Sequence, residues 1–278
     1  MGSVALRRHA LATPLLVVAA LGGPFAASAD PAARSLWLRV EAFRADVSTN
    51  VRIDDPGANL VGTEFALERY GLTDGKTLPT VQLGYRFAER WRLELEYFRL
   101  SRTGRAELDR SITFNGTTFP VQATLDTHFR SDVGRASIGY SFLQSPDFEL
   151  GATAGLHVTK FDISLQTAVS TSGSTPTVDR AVTNATVPLP TLGIYGNWGI
   201  ASGWALDWRA DLFALKHRGY DGKLINGQAS LLYRLSPNAA LGGGWRYVDY
   251  QVRSSRTDVN GKVDYKFKGP QLFAEVGF

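Results

Sequence analysis

The chain has 278 residues, 44% hydrophobic and 20% charged, with 28 Gly, 11% aromatic residues, one Met and no Cys, and a mean hydropathy of -0.11. Without cysteine there is no disulfide scaffold, thiolate metal site, cysteine nucleophile or lipidated cysteine anchor. The one continuous apolar run, Ala10 to Leu21, is too short for the roughly 20 residues of a membrane-spanning helix. Glycine is about half as abundant again as in an average protein, and the six Trp, ten Tyr and fifteen Phe are a heavy aromatic load.

In chain order, the first feature is a secretory leader. Arg7 and Arg8 form its basic end, Leu11 to Leu21 its apolar centre, and Ala27-Ser28-Ala29 a small-residue cleavage site before Asp30. Removing residues 1–29 leaves 249 residues, takes away two arginines and lowers the net charge from +4 to +2. With no basic cluster, that balance argues against nucleic acid as a partner. Residues 30–278 are read as one domain.

From there the sequence alternates apolar with polar or small residues, the period of strands. Trp91 to Tyr97 puts Trp91, Leu93, Leu95 and Tyr97 on one face and Arg92, Glu94 and Glu96 on the other. The same pattern runs from Phe148 to Val158 and from Trp204 to Leu212. Short breaks at Ala88–Arg90, Gln144–Asp147, Ala201–Gly203 and Ser236–Asn238 alternate with longer ones near 48–78, 101–125, 166–185, 218–222 and 254–261. Tight turns at one end and large loops at the other predict an all-β, closed antiparallel transmembrane barrel. Its strands fall near 35–47, 79–87, 91–103, 126–143, 148–165, 186–200, 204–217, 223–235, 239–253 and 262–278. That is about ten strands, with eight as the alternative. The rings framing the short turns (Tyr85, Phe87, Trp91, Tyr140, Phe142, Phe148, Trp198, Trp204 and Tyr233) predict an aromatic girdle at the headgroup level. The soluble alternative, a β-sandwich, gives no reason for rings to cluster at alternate turns.

The chain ends with Leu272, Ala274, Val276 and Phe278 on one face of a final strand. This resembles the terminal strand of Gram-negative outer-membrane barrels, in which a last Phe preceded by alternating apolar residues is the signal for the barrel-assembly machinery. The third residue from the end is usually aromatic in that pattern and is Val276 here. The resemblance covers the chain after the leader and is to the OmpA-like and OmpW-like class of small barrels. It implies an outer-membrane location, biogenesis through that machinery, and contact with outer-membrane lipid and lipopolysaccharide.

With the apolar face toward lipid, the lumen holds a charge network of Arg39, Glu41, Arg92, Glu94, Glu96, Arg135, Glu149, Asp207, Arg209, Asp211, Arg246 and Glu275, together with His157. Both signs occur in similar number, and a barrel of this size lies near the limit at which side chains fill the interior. The first expectation is therefore an ion-paired, closed lumen. The alternative is a narrow polar path for small solutes.

Small barrels with enzymatic activity pair His with Ser or with carboxylates. Here His128 lies near Asp126 and Ser131, while His157 and His217 stand apart, so no such constellation is recognised and no catalytic residue, metal or cofactor is assigned. Three loops carry further signals. Asn115-Gly116 predicts a hairpin in the second long loop, extending above the membrane, and Thr167 to Thr177 reads as a loop tip. Gly62 to Leu72 is too apolar to be purely solvated and is expected to fold over or into the barrel mouth. Basic residues near the rim (Arg52, Arg102, Arg105, Lys216, Arg218, Arg253 and Arg256) are candidates for lipopolysaccharide phosphates. The expected role is structural or passive, in membrane integrity or surface interaction, with no surface ligand identified; the alternatives are a narrow channel for small solutes and, second, a lipid-modifying or proteolytic enzyme.

Overall fold

The computed structural model describes residues 35–169, 177–217, 220–255 and 260–278. The leader at 1–29, Arg218, Arg256 and most of the tip at 167–177 lie outside these residues. In chain order the described strands are β1 (Leu36–Ile53), β2 (Phe65–Ala66), β3 (Gly75–Ala88), β4 (Trp91–Glu107), β5 (Ile112–Phe114), β6 (Thr117–Phe119), β7 (Thr124–Ser145), β8 (Phe148–Val169), β9 (Thr177–Ala201), β10 (Trp204–His217), β11 (Tyr220–Ser236), β12 (Ala239–Ser255) and β13 (Asn260–Gly277). Ten of them pair in the order β1-β3-β4-β7-β8-β9-β10-β11-β12-β13, and β13 pairs back to β1, so the sheet is a closed antiparallel barrel. Closure satisfies the edge strands as well as the interior ones, as a β protein crossing hydrocarbon requires. The seam runs from Trp37↔Gly277 to Ile53↔Gly261, and the Phe278 carbonyl accepts the Ser35 and Leu36 amides.

Most of the strands run longer than the alternation predicts, and several carry two apolar stretches in opposite phase. In β8 the outward positions Phe148, Leu150, Ala152, Ala154, Leu156 and Val158 are apolar, then give way to Lys160, Asp162, Ser164 and Gln166. The inward positions change the other way, from Glu149, Thr153 and His157 to Phe161, Ile163 and Leu165. β1 switches at Ala42-Phe43, β4 at Tyr97-Phe98 and β12 at Tyr247-Val248. About 9–11 residues suffice for a tilted strand to cross the hydrocarbon, so the short-turn half of each strand is the lipid-embedded part. The other half stands in water and turns its apolar face inward.

The nine girdle residues all lie at the short-turn end, on the outer wall. Trp91 packs on Tyr140 with ring centroids 4.9 Å apart, and Trp204 packs on Tyr233 at 4.8 Å. Register shifts fall beside each of the four short turns, at Arg86/Ala88, Ser141/Leu143, Trp204/Ala205 and Arg234/Ser236, where bulges increase the local twist needed for closure. Leu272, Ala274, Val276 and Phe278 face outward, with Leu272 and Phe278 each 69% exposed.

Candidate functional site

The lumen holds two tiers of different chemistry. At the membrane level all twelve residues of the charge network point inward, and several pair along chords across the barrel. Arg246 of β12 donates to Glu96 of β4 at 2.6 Å, Arg39 of β1 reaches Asp207 of β10 at 3.0 Å, and Arg135 of β7 reaches Asp211 of β10 at 3.2 Å. Arg209 of β10 bonds Glu94 of β4 as well as Asp211. Glu96 also accepts Arg135 at 3.0 Å and so takes two guanidinium groups. Glu41 lies 4.0 Å from Arg246, and Glu275 accepts Arg39 at 2.8 Å.

Two inward residues escape a reading that looks for charged strands. Arg86 donates to Glu149 at 2.7 Å, and Tyr195 lies under the Arg92 guanidinium, 3.3 Å from ring centroid to Cζ. Both positions follow from alternation: Leu83, Tyr85 and Phe87 face lipid, which puts Arg86 inside. Glycine makes room for Tyr195, because a Cβ on Gly151 would stand 2.3 Å from the tyrosine hydroxyl.

Above the membrane level the interior is mainly apolar. Phe161 of β8 meets Tyr250 of β12 and Tyr265 of β13 across the lumen, with centroids at 5.5 and 5.8 Å. Phe43, Phe98 and Phe267 extend the cluster. Such edge-to-face and tilted ring contacts are the arrangements that aromatic side chains favour in an apolar interior.

The first two long loops complete this tier. The β3 edge of β1 ends at Asp46, and β2 takes up the freed edge through Asn50↔Ala66 and Val51↔Phe65. A 3-10 turn at Leu67–Tyr70 follows, with Leu67 and Tyr70 buried. The expected entry of this loop into the mouth is therefore present. The hairpin of the second loop does not rise above the barrel. β4 and β7 remain paired to Glu107↔Thr124, and the β5-β6 hairpin folds across the opening, burying Ile112, Phe114 and Phe119. Asn115 (φ 46) and Gly116 (φ 78) occupy its turn, the left-handed pair a two-residue hairpin of this twist needs. The Asn115 amide donates to the Ile53 carbonyl of β1 at 3.2 Å, and its side chain donates to the Val182 carbonyl of β9 at 3.0 Å. β1 and β9 are five strands apart in a ring of ten, so the turn of the hairpin ties together strands from opposite sides of the ring.

Arg102 is corrected by this arrangement. It is 2% exposed and not a rim residue, because the phase of β4 turns it inward, where it donates to Glu68 at 2.6 Å and to the Thr73 carbonyl at 3.2 Å. It fastens the first loop to the wall. Of the other rim candidates, Arg52 pairs with Asp54 and Arg105 with Asp126, while Lys216 and Arg253 are exposed.

A second fastening is Lys262 to Glu64, at 2.6 Å. The hydrogen bond and charge of Lys262 hold the Glu64 carboxyl below the usual glutamate value. A carboxylate lowered on folding contributes above its unfolded pKa and loses that contribution as pH falls through the folded one. Amide protection across residues 62–72 is accordingly expected to stay constant from pH 8 to 5 and to decline only below about pH 4, as hydrogen exchange would register.

The histidines are separated. His128 faces outward on β7, whereas Ser131 faces inward and shares a hydrogen bond with Tyr265 at 3.0 Å. His157 is buried in the lumen, its ring 6.1 Å from that of Tyr250. The His217 side chain lies outside the described residues. No group of three potential metal-ligating side chains occurs among the described residues.

A closed antiparallel barrel with an outward apolar belt, aromatic girdle and short turns at one end defines a Gram-negative outer-membrane β-barrel protein. The chain is similar in structure to the outer membrane protease OmpT from Escherichia coli, with a TM-score of 0.56 and 11% identity over 90% of this chain and 98% of that one. Matches also include Neisserial surface protein A (TM-score 0.32, 13% identity, 88% and 97% coverage) and Ail, the attachment invasion locus protein of Yersinia pestis (TM-score 0.31, 10% identity, 86% and 99% coverage). At 11% identity the likeness to OmpT is one of fold. No protein-family model and no curated protein matches the sequence.

Proposed function

We propose that this barrel is a closed membrane anchor that acts through its outward cap and wall, in membrane integrity or surface interaction, and does not pass solutes. The observation that carries this reading is that two chemically different tiers of side chains cross the lumen. A small solute would have to part the ion-paired chords at membrane level and then an aromatic cluster and a hairpin fixed to opposite walls. Buried ion pairs contribute little net stability against a well-packed apolar core, so their value here lies in filling a polar interior with mutually specified partners.

In the same reading the outer-leaflet lipopolysaccharide supplies phosphates to exposed cations just above the lipid-facing belt, such as Arg44, Arg99, Lys160 and Lys268, through charge-assisted bonds. The carboxy-terminal strand serves the assembly machinery during biogenesis. A liposome-swelling assay tests the proposal. Proteoliposomes are expected to swell in arabinose no faster than protein-free liposomes, and swelling at a rate proportional to the protein content would establish a solute path instead.

A further inference from the structure

The wall parts between β9 and β10. Their pairing ends at Leu212↔Leu192, yet β9 stays on β8 as far as Val169↔Thr177 and β10 stays on β11 as far as His217↔Tyr220. Above Leu192 and Leu212 the two strands are therefore unpaired on the sides they turn to each other. Counted from Trp204, Leu212 is the ninth residue of β10, and about 9–11 residues are needed to cross the hydrocarbon. The parting thus starts inside the outer margin of the lipid-facing belt, which continues above it as Pro190 and Pro188 on β9 and Ala214 on β10.

The edges and floor of the parting are apolar. Pro188 and Pro190 sit opposite Val158 and Leu156 of β8, and a proline leaves that ladder intact only where its nitrogen faces the other neighbour, here β10. At both positions the open edge consequently has no N–H for hydrocarbon to leave unsatisfied, and none for an added strand to use. Leu189, Phe213 and Tyr220 converge on Gly222 of β11, where a Cβ would stand 2.9 to 3.2 Å from the three side chains. Leu215 lies on the inward phase of β10 and is nevertheless 46% exposed. Around the upper end of the parting, Lys160 of β8, Lys216 of β10 and Lys223 of β11 are exposed on the outer wall.

We propose that this lateral notch holds an acyl chain of an outer-leaflet lipid, laid against Phe213 and Leu215 while the lysines meet its headgroup phosphate. The missing donors of the proline edge favour a hydrocarbon chain over a docked strand. The notch needs no opening of the lumen, so its failure would leave the closed-anchor reading intact.

The test is photo-crosslinking of the folded, full-length protein in vesicles containing phosphatidylglycerol with a diazirine near the headgroup end of one chain. Adduct sites are mapped by mass spectrometry, and the fold is checked by a shift in gel mobility on boiling. Adducts are expected on the inward-phase Phe213 and Leu215 as well as on the lipid-facing Leu192 and Leu212, and not on Phe161, which lies on the inward phase behind paired wall. Leu215→Lys is expected to lower the yield at Phe213 several-fold and to leave that at Trp204 unchanged. Adducts confined to outward residues would overturn the proposal, as would labelling of Phe161 as heavy as that of Leu215, or an unaltered yield at Phe213 in folded Leu215→Lys.

Discussion

Replacing Glu96 by alanine is expected to lower the unfolding free energy by about 3–5 kcal/mol, the cost of leaving buried charge without its partner. Glu96 is the carboxylate on which Arg135 and Arg246 converge from β7 and β12, and all three side chains are nearly inaccessible. Its loss leaves Arg246 with Glu41, at 4.0 Å, as the next acid, while Arg135 keeps Asp211 at 3.2 Å. Urea unfolding of the protein in lipid vesicles measures this loss. A matched substitution on the outer wall, Arg105→Ala, removes a pair to Asp126 that is solvated at both ends, and is expected to leave the unfolding midpoint nearly unchanged. Similar costs for the two variants would show that the lumen charges do not act as a buried network.

The second large effect concerns the cap. Phe114 is fully buried beneath the hairpin and packs edge-on against Phe65 of the first loop, with centroids 6.3 Å apart. Phe114→Ala is expected to destabilise the upper tier by about 3–5 kcal/mol through lost transfer energy and the cavity left behind. The damage should be local, because the charged tier beneath is held by its own chords. Limited proteolysis is therefore expected to cleave within residues 108–123 at least tenfold faster while the barrel keeps its gel mobility. An unchanged cleavage rate would mean that the hairpin is held by its hydrogen bonds to Ile53 and Val182 and not by the aromatic anchor.

Much of this fold is legible in the residues. Alternation identifies the ten barrel strands, the four short turns and the faces of all twelve lumen charges, because a period of two leaves only the choice of which face meets lipid. The strand lengths are not legible in the same way. In β8 the apolar residues pass from even positions, ending at Val158, to odd positions, beginning at Phe161. The alternation ends the strand with the last odd apolar residue, Leu165, and leaves Gln166 onward to a loop, whereas the strand runs on to Val169. The phase change is the signal that a barrel leaves the membrane. On the lipid side apolar residues must face out, and above it the hydrophobic effect turns them in.

Arg102 illustrates the consequence. Past Phe98 and Leu100 it belongs to the inward face, yet beside Ser101 and Thr103 it reads as a rim residue. Alternation also gives a residue's face but not its partner across the lumen. That Arg246 meets Glu96, and Arg39 meets Asp207, depends on how far the register is staggered when the barrel closes, a property of the whole ring.

Single-channel recording in planar bilayers tests the central claim, closure of the lumen, most directly. Purified, folded protein is expected to insert without steady conductance steps in 1 M KCl. The variant lacking residues 109–122 should behave alike, because the charged tier closes the lumen independently of the cap. Steady open-state steps from the intact protein, scaling with salt concentration, would contradict the account.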